Sequence, residues 1–337
     1  MPTIRVAVNG FGRIGRNAFK VALDKHKDSL EIVAINDLGD AKTLANLLKY
    51  DSNYGIWNHE VSSDAEHILV DQKVYKVLNE KDPANLPWKD LNVDVVIEST
   101  GEFTDAQGAK KHLVAGSKRV VVSAPSEDIP TFVLGVNGTR YSGEEIINNA
   151  SCTTNCIAPV AQVMELKFGV AKAMMTTIHS YTADQNLQDG PHKDLRRARS
   201  ATQNIVPTTT GAAVATTETI PELKGLFDGV AIRVPTPVGS ISDFTFLLKK
   251  KVTKEEVNNA FKEIAANESF KNILAVTEEQ IVSSDIVGRS ESAIVDLGLT
   301  KVVDGDMVKV FAWYDNEYGY SNRLVEQVIN VGRNLIP

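Results

Sequence analysis

Cysteine is scarce in this chain of 337 residues: it has two, Cys152 and Cys156, placed four apart. Such a pair supplies no disulfide framework, which fits a reducing cytoplasm. No uncharged apolar run is long enough to span a bilayer, and the start, Met1-Pro2-Thr3-Ile4-Arg5-Val6, leads into a strand pattern rather than a signal peptide. A cytoplasmic protein without a membrane partner is therefore expected. Excess positive charge is missing as well. The formal net charge of −7 argues against bulk affinity for nucleic acid, although it leaves room for a local basic patch. There is no low-complexity tract, no repeat of solenoid period and no long Gly/Ser linker. No metal site is expected. What is present is ordinary globular composition, 43% hydrophobic and 23% charged, long enough for two domains.

The first 150 residues alternate between strand and helix patterns. Ile4 to Val8 reads as a strand, Gly10-Phe11-Gly12-Arg13-Ile14-Gly15 follows, then a helical stretch from Arg16 to Lys25, then the strand Glu31 to Asp37. A lone G-x-G-x-x-G pattern is weak evidence; one that ends a strand and opens a helix is strong evidence for a dinucleotide site. Gly10 permits the tight turn, Gly12 lets a pyrophosphate approach the backbone, and Gly15 permits close helix–strand packing. Asp37 can accept from the adenosine ribose hydroxyls and would repel a 2′-phosphate, which favours NAD over NADP. Val93–Glu98, Arg119–Ser123 and Thr131–Val136 are short β-branched runs that read as further strands of a doubly wound parallel sheet. Ser99-Thr100-Gly101 and Ser123 fall at strand ends, where ligands bind in such sheets.

Ser151-Cys152-Thr153-Thr154-Asn155-Cys156 stands where a second pattern begins. The apolar spacing of Cys156 to Leu166 predicts a helix with Pro159 in its first turn, so Cys152 lies at or just before the N-terminus. Unpaired N–H groups and the helix dipole there can lower a thiol pKa from about 8.5 to below 7.5. An isolated cysteine is more often an inert buried thiol, which is how Cys156 reads. For Cys152 its company matters. His179 ends the strand Val170–His179 that follows the cysteine helix directly, whereas His26, His59, His67, His112 and His192 have no nearby chemical signature. An imidazolium–thiolate pair of His179 and Cys152 would make a nucleophile. A long polar loop runs from Ser180 to about Gln203 and carries Arg196, Arg197 and Arg199. Thr208-Thr209-Thr210-Gly211 opens a helix and offers hydroxyl and backbone donors to an anion. Arg233 lies among apolar strand residues, where a guanidinium usually has an anionic partner. Strand-like runs at 229–234, 242–250, 293–299 and 307–313, with one helix at 254–266, indicate an α+β domain with a mixed, largely antiparallel sheet. An amphipathic helix at 321–335 is expected to return to the first domain, giving a dinucleotide-binding domain of residues 1–150 and 316–337 and a catalytic domain of 151–315.

A nicotinamide cofactor, a nucleophilic thiol, a base and two places for oxyanions suit oxidation of an aldehyde through a thioester. Essentially from end to end, the chain resembles the phosphorylating glyceraldehyde-3-phosphate dehydrogenases. The resemblance is carried by Asn9 to Arg16, Ala150 to Cys156, Arg196 to Arg199, Pro207 to Ala213 and Trp313 to Glu317. It implies oxidation of D-glyceraldehyde 3-phosphate to 1,3-bisphosphoglycerate in glycolysis, with Cys152 as nucleophile and His179 as base. It also implies cofactor contacts at Gly10, Phe11, Gly12, Arg13, Ile14, Asp37, Ser99, Thr100, Gly101, Ser123, Asn316 and Tyr320. Thr182 and Arg233 would hold the substrate's C3 phosphate, Arg197 would be shared between anion sites, and Ser151, Thr153, Thr210 and Gly211 would receive attacking inorganic phosphate. A homotetramer is implied too. Many strictly NAD-using relatives carry Leu-Pro near residue 190, where this chain has Asp189-Gly190-Pro191.

Three alternatives stand beside this reading. One is an erythrose-4-phosphate dehydrogenase or an NADP-preferring biosynthetic form. Another is a thiol hydrolase or acyltransferase, which would leave the dinucleotide signature without a role. The third is a binding protein, perhaps for RNA, which the acidic charge disfavours.

Overall fold

The computed structural model describes residues 3–335, and the chain divides into two compact units. The first comprises Met1–Phe132, Arg140–Ala150 and Ser321–Pro337; the second comprises Val133–Thr139 and Ser151–Tyr320.

In the first unit the chain runs β1 (Ile4–Asn9), α1 (Arg13–Lys25), β2 (Leu30–Asn36), α2 (Ala41–Lys49), a short hairpin β3 (Tyr50–Asp51) and β4 (Gly55–Ile56), then β5 (Val61–Ser63), β6 (His67–Val70) and β7 (Lys73–Leu78). It continues through β8 (Val95–Glu98), α3 (Ala106–Val114), β9 (Arg119–Val122) and β10 (Ile146–Asn148). One sheet has the order β10-β9-β8-β1-β2-β7-β6-β5. It is parallel from β10 to β7 and antiparallel through β6 and β5. Val6, Val8, Val95, Val96, Val120 and Val121 are buried, as strands covered on both faces require. The strand order reverses at β1, which lies between β2 and β8. That is the switch point at which open α/β sheets bind ligands.

The second unit begins with α4 (Cys152–Phe168), β11 (Val170–Ser180), β12 (Val206–Thr208), α5 (Ala212–Thr219), β13 (Phe227–Val234) and β14 (Ser240–Leu248). It ends with α6 (Lys254–Ala265), β15 (Leu274–Thr277), β16 (Ala293–Asp296), β17 (Lys301–Val303), β18 (Met307–Tyr314) and the start of α7 (Tyr318–Arg333). The sheet order is β12-β13-β11-β14-β18-β16-β15, with β17 on β18. Only β11–β13 and β15–β16 pair parallel, so the sheet is mixed and largely antiparallel. The parallel register sets Arg233 beside His179.

Two expectations are corrected. The run Thr131–Val136 is not a strand. Thr131 makes a single bridge to Asn148, and the chain then turns at Gly135, whose φ of +81° no strand accommodates. The N–H groups of Val136, Asn137 and Gly138 all point to the Val133 carbonyl, and Gly135 approaches Ile273 of the second unit. The cysteine helix also starts earlier than the apolar spacing predicts, at Cys152, with Ser151 as N-cap. Pro159 is therefore interior to α4 rather than in its first turn, and it supplies no N–H to the helical ladder.

From Ser321 onward α7 belongs to the first unit. Gly332 packs on Ile4 of β1, and Asn322 accepts from Lys25 Nζ at 2.8 Å.

Candidate active site

In the first unit, the C-terminal ends of β1, β2 and β8 surround a cavity of about 870 Å³. Gly10, Gly12, Asp37, Ser99 and Thr100, all anticipated from the sequence, line it, joined by Asn9, Asn36, Leu38 and Phe103, which were not. Gly10 holds a φ of +90°, and a Cβ there would meet Thr100 N at 2.5 Å. Gly12 caps α1 without a side-chain hydrogen bond, so no cap side chain competes with an anion for the helix N-terminus. A Cβ on Gly15 would lie 2.1 Å from the Gly10 carbonyl oxygen, which only glycine avoids. These features fit the pyrophosphate of a dinucleotide.

Asp37 accepts from the Phe11 N–H at 2.7 Å and the Gly39 N–H at 2.8 Å, so it also anchors the glycine loop. Ser99 donates to the Gly10 carbonyl at 2.7 Å. Several anticipated residues do not line the cavity with their side chains. The Phe11 ring is buried edge-to-face on Phe19, and Arg13 pairs with Asp51 at 2.9 Å. Ile14, Gly101 and Ser123 are likewise outside the lining.

The second unit assembles a reactive thiol. Cys152 is the first residue of α4, where its N–H has no intrahelical acceptor. Its Sγ lies 3.4 Å from His179 Nε2 at the end of β11. The other ring nitrogen, Nδ1, is 2.6 Å from the Ser180 carbonyl. A carbonyl can only accept, so Nδ1 carries the hydrogen and Nε2 presents its lone pair to the thiol.

The acid–base state differs from the imidazolium–thiolate pair expected. Burial pushes the Cys152 thiol above its ordinary value, opposed by the Arg233 cation. Although Cys152 keeps part of its surface accessible, its surroundings are those of the interior. Burial, aided by Arg233, pushes the His179 imidazole down to about 3. The pair in this structure is therefore a thiol facing a neutral base. Helix-end reasoning saw the dipole of α4 and missed the desolvation around it.

Arg233 donates from Nη1 to the Thr182 hydroxyl at 2.8 Å and to the Ser180 carbonyl at 3.2 Å. Arg197 donates to Asp184 at 2.7 Å, to the Thr208 hydroxyl at 3.0 Å and to the Thr209 carbonyl at 3.2 Å. Thr182 also bonds to Asp184, so this carboxylate joins Thr182, Arg197 and Arg233 into one cluster. Burial raises the Asp184 carboxyl, but the Thr182 hydroxyl and the two cations outweigh it and hold it below the usual range. Sequence reasoning missed Asp184. Arg199, by contrast, pairs with Asp189 in the loop at 2.6 Å.

Ser151 accepts from Thr154 N–H at 3.0 Å as the N-cap. The Thr153 hydroxyl is 2.9 Å from Tyr314 Oη, which is also 2.8 Å from the Thr177 hydroxyl and packs edge-to-face on His179. Thr210 accepts from Ala212 N–H at 3.2 Å, and Gly211 caps α5 without a side-chain bond. Asn316 accepts at Oδ1 from the Gly239 N–H and the Ser240 hydroxyl, 3.1 and 2.9 Å away, which turns its NH2 group to the other side. Tyr320 is buried in the first turn of α7.

Comparison with known proteins agrees with this chemistry. The family model for the glyceraldehyde 3-phosphate dehydrogenase NAD binding domain matches residues 4–106, and that for the C-terminal domain matches residues 151–316. The chain is 54% identical to the glyceraldehyde-3-phosphate dehydrogenase of Streptomyces coelicolor, over 99% of this chain and 100% of that one. The chain belongs to the glyceraldehyde-3-phosphate dehydrogenase family. It is also 55% identical to the Mycolicibacterium smegmatis member and 54% identical to that of Mycobacterium tuberculosis, over 99% of this chain and all of each relative. As a member of this family it is an NAD-dependent oxidoreductase with an NAD-binding and a catalytic domain. Among the described residues, no helix is long and apolar enough to cross a membrane, and no group of three or more His, Cys, Asp or Glu could hold a metal ion.

Proposed function

We infer that this family member oxidises D-glyceraldehyde 3-phosphate to 1,3-bisphosphoglycerate in glycolysis, with reduction of NAD. The observation that carries the reading is the Cys152–His179 contact of 3.4 Å, with the Nδ1–H of the ring fixed on the Ser180 carbonyl. His179 Nε2 takes the thiol proton as Cys152 Sγ bonds to the aldehyde carbon, and returns it to the new alkoxide to give a thiohemiacetal. The Cys152 N–H at the start of α4 and the protonated ring stabilise the oxygen meanwhile. NAD, held at Gly10, Gly12, Asp37, Ser99 and Thr100, supplies the hydride acceptor. His179 accepts the hydroxyl proton again as the carbonyl reforms, now as a thioester on Cys152. Inorganic phosphate attacks that carbon, the Cys152–carbon bond breaks, His179 returns its proton to the departing sulfur, and the acyl phosphate leaves.

Thr182 and Arg233 hold the C3 phosphate, with Arg197 between the anion sites. Ser151, Thr153, Thr210 and Gly211 receive the attacking phosphate, while Asn316 donates its NH2 to the nicotinamide carboxamide and Tyr320 lies nearby. Phe11, Arg13 and Ile14 contribute backbone from the loop and first turn of α1, and Gly101 and Ser123 border the cofactor from strand ends. Residues 1–150 with 316–337 form the dinucleotide-binding domain and 151–315 the catalytic domain, a division that the two compact units support except at Val133–Thr139 and 316–320, which fall in the second unit. The two free cysteines fit a cytoplasmic enzyme. Exposed Met174 and Val230 on neighbouring strands, with Leu187, Leu195 and Ile205 in and after the long loop, support assembly as a homotetramer.

The test is absorbance at the NADH band with glyceraldehyde 3-phosphate and NAD, with and without inorganic phosphate. Phosphate-dependent turnover, falling to about one equivalent per site without phosphate, is expected for a thioester enzyme. No NADH from a folded, NAD-binding protein would refute the reading. Parallel kinetics with erythrose 4-phosphate and with NADP test the nearest alternatives.

A further inference from the structure

Beneath the dinucleotide cavity lies a polar chain with no part in the chemistry above. Glu98, the last residue of β8, has a fully buried carboxylate. It accepts four hydrogen bonds: from Asn9 Nδ2 at 2.6 Å, His112 Nε2 at 2.9 Å, the Thr100 N–H at 2.8 Å and the Thr100 hydroxyl at 2.5 Å. Asn9 precedes Gly10, and Thr100 lies in the turn after β8, so one carboxylate ties together the two adjoining segments that line this side of the cavity. A buried carboxylate is tolerated only when fully paired, and here the partners are the end of β1, the turn after β8 and His112.

His112, on α3, is buried as well, and its orientation is dictated from behind. Trp88 Nε1 lies 2.9 Å from His112 Nδ1. Indole N–H can only donate, so Nδ1 is an acceptor and the single ring hydrogen sits on Nε2, facing Glu98. Trp88 thus selects the tautomer that completes the carboxylate's set of donors. Neither residue touches the cavity.

We propose that Glu98, with His112 and Trp88 behind it, is a positioning group that sets the spacing of the Gly10 and Thr100 loops and thereby the affinity for NAD. The proposal rests on the NAD reading of this cavity. In Glu98→Gln, an amide NH2 faces donors that cannot all turn round: His112 is held by Trp88, and Asn9 Oδ1 is engaged by Asn36 at 2.7 Å. The loops must separate. In Trp88→Phe the Nε1–H that selects the tautomer is lost, along with some packed volume at this buried site, while the Glu98 carboxylate keeps its other donors, and the effect on NAD is smaller.

Calorimetric titration of the full-length wild type and of both variants with NAD, paired with steady-state kinetics, tests this. We expect the dissociation constant to rise at least ~10-fold in Glu98→Gln and ~3-fold in Trp88→Phe, with the change falling on KM for NAD rather than on kcat or on KM for the aldehyde. Should Glu98→Gln fail to fold, Trp88→Phe alone carries the test. An unchanged NAD dissociation constant in a folded variant, or a loss confined to kcat, would overturn the proposal. Absence of NAD binding by the wild type would instead overturn the cavity assignment beneath it.

Discussion

Arg233 and Thr182 meet at 2.8 Å, guanidinium to hydroxyl, one strand away from the Cys152–His179 pair. The same guanidinium opposes the rise that burial imposes on the Cys152 thiol. It therefore has two measurable duties. Arg233→Ala should raise KM for glyceraldehyde 3-phosphate about 10²-fold, the scale of a lost charge-assisted contact, and leave unphosphorylated glyceraldehyde much less affected. It should also move the inflection for iodoacetamide alkylation to higher pH. Equal effects on both aldehydes would assign the arginine to structure alone.

Cys152→Ala should abolish NADH formation and leave NAD affinity intact, since the cavity residues lie in the other compact unit. Retained turnover in that variant would end the covalent route.

The pH dependence of the ligand-free protein should show one thiol inflection, above the ordinary value, and none from His179 between pH 5 and 9, because burial keeps the ring neutral down to about 3. His179→Asn should slow acylation by removing the proton acceptor. The same burial has a stability sign. The unfolded chain binds a proton near 6.5 that the folded protein refuses until about 3, so stability is full above 6.5 and falls as pH drops through that window. The slope is at most about 1.4 kcal/mol per pH unit. Urea unfolding at pH 7 and 4.5, compared between wild type and His179→Asn, reads this contribution.

Asp37→Ala should narrow the preference for NAD over NADP and also weaken NAD itself, because the Phe11 and Gly39 N–H groups lose their acceptor. Both effects appear in kcat/KM for the two cofactors. An unaltered ratio would shift discrimination to the loop at Gly190.

Gly15→Ala should be damaging out of proportion to one methyl group. The new Cβ would stand 2.1 Å from the Gly10 carbonyl, and relief requires the loop to move, at about 1–3 kcal/mol. Denaturant unfolding and NAD titration should both register it.

The residues that the sequence made legible are those whose chemistry needs a fixed local spacing. Gly10, Gly12 and Gly15 act within six positions, and the Cys152 helix and the His179 strand are consecutive elements. What escaped depends on partners far apart in the chain. Tyr314 bridges Thr153 and Thr177 across 161 and 137 positions, so nothing near it in sequence marks its hydroxyl. His112 looked idle too, because neither Trp88 nor Glu98 adjoins it in sequence. The short strands β5, β6, β10 and β15 carry too few residues for periodicity to detect. Pro159 misled by suggesting a helix start at Cys156, after the observed start at Cys152, since a buried helix can absorb an interior proline that a solvated one would not.

One carbonyl, that of Ser180, receives both the Nδ1 hydrogen of His179 and a donor from Arg233. The groups proposed as proton acceptor and as holder of the substrate's phosphate are thus hung from a single peptide group. An engineer who exchanges Arg233 to admit an uncharged aldehyde therefore disturbs the seat of the imidazole in the same stroke. A new substrate preference in this scaffold comes with an altered base, and restoring rate would call for a replacement side chain that keeps a donor on that oxygen, such as glutamine, rather than the smallest residue that clears the space.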